Sequence, residues 1–470
     1  MPCMEMHEYL DLLTGQIRNK KAGASVAKEI KSHMEDQAQV YMEQGMGQEE
    51  ALAEAVRQMG NPVEVGIDMD RIHRPRNNWK LLGAMAVLSL VGLLVQYLCI
   101  YRFGGDQLAG TGGGHAFMRQ CLYTFLGLAG MALLYFFDYS MFSRYGGGIG
   151  FLFLAAIALA CILGFARKAN GGHSYLKPIM YLFIPVYGGI LYRYRGRGYA
   201  CIAGSLLWLF AAAWVGFGVI GGGISITLDV MFVCCLMFTA ALIKNWYQVK
   251  HRWVPLSGLG IMSLLLGVLS FVNMAPYQYR RIMAYLNPRA YAKEGSFVTL
   301  KVREMISQLK PIGGMQGRGY GLSETPAHVL PWGQSDFVIL QAASMWGTLA
   351  AFGLAALLIL FLSGLFFMVK RQKNQLGQMI GYGCVLILVI ETATHLLNNL
   401  GILYLSSAGL PFFTFGLYHT VAVYGLLGIL FSIYRYQDLV WEPGAEEKNR
   451  EKGILAYLGK YRIRIERTDV

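Results

Sequence analysis

The sequence predicts an all-α, polytopic membrane protein with about ten transmembrane helices, a large extracellular loop before helix 8 and a small N-terminal cytoplasmic helical domain. Of its 470 residues, 55% are hydrophobic and 15% are charged, and the mean hydropathy is +0.41. Apolar runs of about 20 residues recur, which is the helix length that crosses a hydrocarbon core of ~30 Å. A soluble domain could not bury so much apolar surface.

The first 76 residues are predicted to form a separate cytoplasmic helical domain, because the first apolar run begins only near Trp79. Apolar periodicity predicts helices at Glu5–Ile17, Ser25–Glu43 and Gln48–Met59. The third helix is expected to stop at Gly60-Asn61-Pro62, a strong terminator. Two interpretations stay open for this domain: a plain helical cap, or a regulatory or docking module.

The transmembrane domain is predicted to cover residues 77–436. Pro178 and Pro185 indicate that its fourth span is broken or tilted, and the eighth span is long enough for its first turn to project from the membrane. The predicted spans are 79–101, 118–137, 147–166, 176–192, 199–220, 225–243, 254–273, 336–369, 376–404 and 414–434.

The net charge of +13 does not indicate nucleic-acid binding, because the basic residues form short clusters between the apolar runs. With ten spans, most clusters fall on one side, so the positive-inside rule places both termini in the cytoplasm. The loop at 274–335 is then extracellular. Its unusual basic residues are suited to holding an anionic substrate. The basic tail, 437–470, is expected either to lie on the anionic inner leaflet or to be solvated.

The eight cysteines include no C-x-x-C pair, so neither a disulfide framework nor a metal site is predicted. Most lie in or beside apolar runs and are interpreted as small core residues.

The main candidate for chemistry is Asp336, in the run LPWGQSDF directly before an almost purely apolar stretch. A carboxylate at a water–lipid boundary can stay ionised where the head of a lipid-linked substrate arrives. The candidate substrate-binding residues around it are Arg280, Arg281 and Arg318 in the loop, Arg119 and Lys177 on other outer edges, the neighbouring Ser335, and His395.

Glu391 and His395 lie one helical turn apart in the ninth predicted span. A charge at mid-bilayer costs about 2.5–3.5 kcal/mol on insertion scales, so this pair needs a partner or a cavity. Both interpretations stay open: structural hydrogen bonding, or lining of a substrate cavity.

Four segments in order resemble the SEDS family, the shape, elongation, division and sporulation proteins RodA, FtsW and SpoVE. They are PYQYRRIMAYLNP (276–288), GGMQGRGYG (313–321), LPWGQSDF (330–337), and NLG followed by LPFFTFG (399–401 and 410–416). In this pattern His395 stands where the family often has Gln. The N-terminal domain resembles the permease-prefix domain of some Gram-positive membrane proteins.

The resemblance implies a peptidoglycan glycosyltransferase of the cell membrane, in a Gram-positive bacterium, that polymerises lipid II with a class B penicillin-binding protein as its partner. Asp336 matches the family's essential acid. Such chemistry needs a base for the attacking sugar hydroxyl and cations for the departing undecaprenyl pyrophosphate. No cofactor is implied; a divalent cation, Mg²⁺ or Mn²⁺, stays open, although no ligand cluster demands one.

The sequence also departs from the family pattern, which keeps two other functions open. The family's Glu and His before the aspartate are Trp332 and Gln334, and its paired acids in the eighth span are Ser344 and Met345. The first alternative is a non-catalytic scaffold or regulator of cell-wall synthesis. The second is a transporter of lipid-linked precursors, which intramembrane charges would favour.

Overall fold

The computed structural model describes residues 5–18, 20–72, 77–98, 113–165, 174–220, 225–251, 253–261, 283–284, 287–288, 290–291, 296–314, 326, 330, 333–402, 408–437, 455–458 and 461–464. The chain divides into two compact units. One comprises residues 1–76 with 436–470, and the other comprises residues 77–435.

The N-terminal unit contains four helices rather than the three predicted. They are α1 Met6–Gln16, α2 Lys20–Glu43, α3 Gln48–Gln58 and α4 Pro62–Ile72. The prediction missed α4 because it treated Gly60-Asn61-Pro62 only as a stop signal. Pro62 is the first residue of α4, where its missing N–H costs nothing, and the Asn61 side chain accepts a 3.0 Å hydrogen bond from the Val63 amide. The core of the unit includes Tyr9, Leu13 and Met34.

The described tail residues form a short antiparallel hairpin of β1 Leu455–Leu458 and β2 Tyr461–Arg464, with Leu455 opposite Arg464. The predicted all-α fold class is confirmed, and the hairpin adds two short strands in the tail, where none was predicted. The period-2 alternation of Tyr461-Arg-Ile-Arg464 was the available signal for a strand.

The second unit is helical throughout its described part, apart from its turns. Its helices are α5 Trp79–Gln96, α6 Gly113–Phe136, α7 Met141–Ile162, α8 Phe183–Arg193, α9 Tyr199–Trp214, α10 Ser225–Ile243, α11 at 253–261, α12 Phe297–Ser307, α13 Val338–Trp346, α14 Thr348–Lys370, α15 Gln375–Asn399 and α16 Leu417–Arg435. Among the described residues, 8 helices are long and apolar enough to cross a membrane. The chain is therefore a polytopic, multi-pass membrane protein.

Two predicted spans differ in detail from the helices. The third begins at Met141, six residues before the predicted start. The fourth is broken, as Pro178 and Pro185 predicted: a 3-10 segment at Ser174–Leu182 contains Pro178 and leads into α8. Only 254–261 of the seventh predicted span, 254–273, lies within the described residues, and it is helical.

The eighth predicted span is wrong as a single helix, because it is divided at Gly347 into α13 and α14. Gly347 has φ +100°, and a Cβ there would stand 2.5 Å from the Pro311 carbonyl oxygen. Only glycine adopts this conformation readily and leaves room for the loop backbone. The break separates the α13 segment, which follows Asp336, from the longer α14.

Candidate active site

Asp336 is the last residue of a single helical turn, Gly333–Asp336. The non-helical Phe337 separates this turn from α13. The side chain of Asp336 is only 1% exposed, so it does not stand open to water as expected from the sequence. The neighbouring Ser335 hydroxyl donates a 3.1 Å hydrogen bond to Asp336 Oδ1. The sequence suggested a boundary position because it shows which residues are adjacent in the chain but not which residues cover them.

A loop helix covers this turn. Val302 and Met305 of α12 pack against Phe337 and Leu340. Arg303 on the same helix donates from Nε to the Gly401 carbonyl oxygen at 2.8 Å, at the end of α15. The described part of the large loop therefore contributes a wall of the candidate site.

Asn399 fixes the candidate base from the other side. Its Nδ2 donates to the Asp336 carbonyl oxygen at 2.9 Å and to the His395 carbonyl oxygen at 2.7 Å. Its Oδ1 accepts from the Leu340 amide at 2.9 Å. One buried side chain thus holds the helical turn of Asp336, the start of α13 and the end of α15 in one arrangement.

The segment 408–416 supplies a further tie. Thr414 Oγ1 accepts a 2.6 Å hydrogen bond from the Leu410 amide and donates a longer one, 3.4 Å, to the Ser335 carbonyl oxygen. Gln120 of α6 accepts at 3.1 Å from the Gly416 amide. The segment that carries the LPFFTFG motif is therefore linked both to the turn of Asp336 and to α6.

A polar stripe continues from the site along α15. His395 is fully buried, and its Nδ1 lies 2.9 Å from the Ala408 carbonyl oxygen. Because a carbonyl oxygen only accepts, Nδ1 is the donor. One turn further, Glu391 Oε1 accepts from the Tyr181 hydroxyl at 3.0 Å and pairs with His419 Nε2 at 2.9 Å. These are the hydrogen bonds that the structural interpretation of Glu391 and His395 requires.

The structure places only some of the predicted substrate-binding residues at the site. Ser335 and His395 lie at the site, while Arg119 is exposed on α6. Lys177 is 3% exposed, so it does not lie open on an outer edge. Its position in the 3-10 segment, which packs against α16, explains the burial. Arg280, Arg281 and Arg318 lie outside the described residues.

Sequence reasoning missed the roles of Asn399, Thr414, Tyr181 and His419. A signal existed for Asn399, because it lies two turns from Glu391 and one turn from His395 on a single face of α15. No signal marked Tyr181 or His419, since both contact Glu391 from other helical segments at separations of 210 and 28 residues.

Helices α13 and α14 contribute no acid to this part of the site, since no Asp or Glu occurs from 337 to 370. Ser344, which replaces a family acid, is 6% exposed and donates to the Gln341 carbonyl oxygen at 2.8 Å. Within the described residues no three His, Cys, Asp or Glu side chains are grouped to hold a metal ion. Mg²⁺ nevertheless commonly takes one or two carboxylates plus substrate phosphates, a set that Asp336 fits.

A family model for the FtsW, RodA and SpoVE cell cycle proteins matches residues 203–439, just over half of the chain. The chain belongs to the FtsW/RodA/SpoVE family. The matched range contains Asp336, Glu391, Asn399 and Thr414. The family resemblance of the sequence motifs is thereby confirmed.

Relatives in this family support the same placement. The chain is 24% identical over 264 residues to a putative peptidoglycan glycosyltransferase FtsW of Mesostigma viride, covering 55% of this chain and 53% of that one. It therefore spans about half the length of this relative. It is also 22% identical over 396 residues to a probable peptidoglycan glycosyltransferase FtsW of Thioalkalivibrio, covering 79% and 93%.

A solved structure has the same fold. One chain of a peptidoglycan synthase complex, studied for its coordination of polymerization and crosslinking, superposes with a TM-score of 0.57 at 20% identity. The match covers 77% of this chain and 99% of that one. The arrangement of membrane helices is therefore that of an FtsW/RodA/SpoVE family protein.

Proposed function

We propose that this protein is a peptidoglycan glycosyltransferase that polymerises lipid II, with Asp336 as general base. The observation that carries the proposal is a carboxylate fixed within the helical bundle by Ser335 on its side chain and by Asn399 on its backbone. A base held in one geometry avoids reorganisation when the reaction begins. The relatives' names as peptidoglycan glycosyltransferases support the same activity.

The proposed reaction needs one proton acceptor and no protein acid. A sugar hydroxyl oxygen attacks the anomeric carbon of the donor, and Asp336 takes the hydroxyl proton. The bond between the anomeric carbon and the pyrophosphate oxygen breaks, and undecaprenyl pyrophosphate leaves with the electron pair. Because this leaving group is already an anion, it needs cations rather than a proton.

The proposed cations come from the outer loop and the ends of helices. Arg280, Arg281, Arg318 and Arg119 keep this role as predictions from the sequence. We add Arg303, because its bond to Gly401 holds it beside the turn of Asp336. We leave Lys177 out of the direct contacts because it is 3% exposed.

A divalent ion, Mg²⁺ or Mn²⁺, would give Asp336 a second role as a ligand shared with the pyrophosphate. When bound, such an ion supplies charge stabilisation for the leaving group. Chelation with EDTA followed by return of each metal separates the two roles. A pure general base leaves the rate independent of added metal.

The direct experiment uses the full chain in nanodiscs with labelled lipid II, with and without a class B penicillin-binding protein. Asp336→Asn keeps the shape of the side chain but removes the base, so strand formation should fall by about 10²–10⁴-fold. Glu304→Gln is the matched control. It removes a carboxylate from α12 that pairs with Lys301 at 3.0 Å on the loop surface, and it should retain full activity.

Two results would reject the proposed function. Undiminished polymer in Asp336→Asn would exclude the base. Absence of polymer from the wild-type chain under every partner condition would instead favour the scaffold or regulator. A separate preparation in sealed, oriented vesicles tests the expectation that both termini are cytoplasmic, through protease protection of the N-terminal unit.

Transport of a lipid-linked precursor is the second candidate, favoured by the buried Glu391–His419 pair. Ionisable side chains inside a membrane often mark a transport path. Reconstituted liposomes loaded with fluorescent lipid II separate the two functions. Flux above that of protein-free liposomes that persists in Asp336→Asn would support transport, and its loss in Glu391→Gln would place the path at this pair. Flux no greater than that of protein-free liposomes would reject transport.

A further inference from the structure

Local backbone preference does not explain the conformation of the segment 408–416. Phe412 has φ +71°, a left-handed conformation that is rare for a bulky residue. The Phe412 carbonyl lies against Gly92 of α5 so closely that a Cβ on the glycine would collide with it. Such a backbone persists only where surrounding contacts determine it.

The imidazole rings of His395 and His419 contact the first two residues of this segment. His395 of α15 donates to the Ala408 carbonyl oxygen at 2.9 Å. The ring of His419, on α16, lies against Gly409, where a Cβ would collide with Nε2. The next residue, Leu410, is bonded through its amide to Thr414. The rings therefore contact the two residues directly before the motif that reaches Ser335.

Glu391 determines where the ring of His419 lies. Its Oε1 holds His419 Nε2 at 2.9 Å, and the Tyr181 hydroxyl, from the 3-10 segment, fixes the same oxygen at 3.0 Å. Glu391 Oε2 and His395 Nε2 are both buried and have no hydrogen-bond partner among the described residues. In a cluster with a purely structural role, the buried polar atoms are expected to be hydrogen-bonded.

We propose that Glu391 and His419 are positioning residues that, with His395, hold the 408–416 segment so that Thr414 and Ser335 fix the carboxylate of Asp336. The inference rests on the proposed glycosyltransferase function. The path runs from Glu391 to the His419 ring, along the backbone from Gly409 to Thr414, and through the 3.4 Å bond to the Ser335 carbonyl oxygen. The Ser335 hydroxyl then contacts Asp336 Oδ1 at 3.1 Å.

The pair lies away from the reacting atoms, so its loss should change kcat more than KM. His419→Leu removes the donor to Glu391, and kcat should fall by about tenfold because a small displacement of a reacting group is costly. His419→Gln keeps an N–H donor and should recover most of kcat. Tyr247→Phe is the control. It removes a 2.7 Å bond to Ser205, equally buried but between α9 and the turn after α10, and kcat should stay unchanged.

A double-mutant cycle tests whether the effect travels through the segment. Thr414→Val removes the tie to Ser335 and should also lower kcat. If both changes act on one path, the combined loss should stay well below the product of the two single losses. A full multiplicative loss would overturn the proposal, and so would an unchanged kcat in His419→Leu.

Gly409→Ala provides a variant that leaves both members of the pair intact. The added methyl group must displace either the ring or the segment, so kcat should fall; full activity would overturn the proposal. Hydrogen exchange gives a readout that does not depend on activity. In Glu391→Ala or His419→Leu the amides of Leu410, Phe413 and Thr414 should exchange about tenfold faster than in wild type.

These readouts separate two kinds of failure. A wild-type chain that makes no polymer rejects the proposed function, and the exchange rates still decide whether the pair holds the segment. Unchanged exchange in both variants overturns the positioning role whether or not the chain is an enzyme.

Discussion

The C-terminal end of α15 and its middle hold neighbouring segments by different chemistry. At the C-terminal end, Asn399 uses both protons of Nδ2 and its Oδ1 on three backbone groups. In the middle, Glu391, His419 and Tyr181 bond side chain to side chain. The amide of Asn399 therefore fixes backbone positions directly. The acid–imidazole–phenol cluster acts on the neighbouring segment only through the positions of its side chains.

The largest stability effect should come from the middle of α15. Glu391→Ala leaves the His419 and Tyr181 donors buried without their common acceptor, and each buried donor left unpaired costs about 1–3 kcal/mol. Thermal unfolding in detergent, followed by tryptophan fluorescence, measures the loss. Ser363→Ala, an exposed position on α14, is the control and should change stability by less than about 0.5 kcal/mol. A loss for Glu391→Ala no larger than this control would remove the distinction between the two regions.

Asn399→Ala should cost less, about 2–3 kcal/mol, because it leaves neutral backbone groups unpaired rather than an ionisable pair. The same unfolding measurement applies. Unlike Glu391→Ala, it should also release the turn of Asp336 directly, so polymerisation should fall even at temperatures where the protein is fully folded. Unimpaired polymerisation would show that Asn399 does not fix the position of Asp336.

Tyr181→Phe should cost about 1.5–3 kcal/mol, the range for a hydrogen bond to a charged group. The two changes should be coupled: in a Glu391→Ala background the same substitution should cost much less, because the acceptor is already absent. Equal costs in both backgrounds would mean that Tyr181 acts through packing and not through the carboxylate.

The smallest stability effect is expected at Ser335. Ser335→Ala removes one partly buried hydroxyl and should change stability by about 1 kcal/mol or less. Its bond to Asp336 Oδ1 orients the proposed base, so kcat should fall by about tenfold. This variant sharpens the comparison, because it affects activity strongly and stability weakly, whereas Tyr181→Phe should do the reverse.

Much of the fold follows from local pattern. Apolar runs predicted Ser225–Ile243 with both ends correct, and the prolines at 178 and 185 predicted the break before α8. The division at Gly347 was not predicted, because an apolar run reads as one helix unless the approach of Pro311 is known. The same applies to α4, where a residue that ends one helix also begins the next.

The sequence located the candidate site in the chain but did not predict which residues surround it. Asp336 stands out in the sequence because it precedes an apolar stretch without acids. Its burial depends on α12, which belongs to the 274–335 loop, and on Asn399, which is 63 residues away in the chain. The contact of the His419 ring with Gly409 depends on how the non-helical segment 408–416 folds against the start of α16, which no periodicity encodes.

By itself, the sequence determined that this protein crosses the membrane repeatedly and that one acid precedes the α13–α14 stretch, because hydropathy and chain order are local properties. The tertiary structure alone decided which amide holds that acid, which imidazole braces the segment beside it, and that a buried glutamate links three helical segments. Those contacts join residues far apart in the chain, and their geometry is set by how the helices pack.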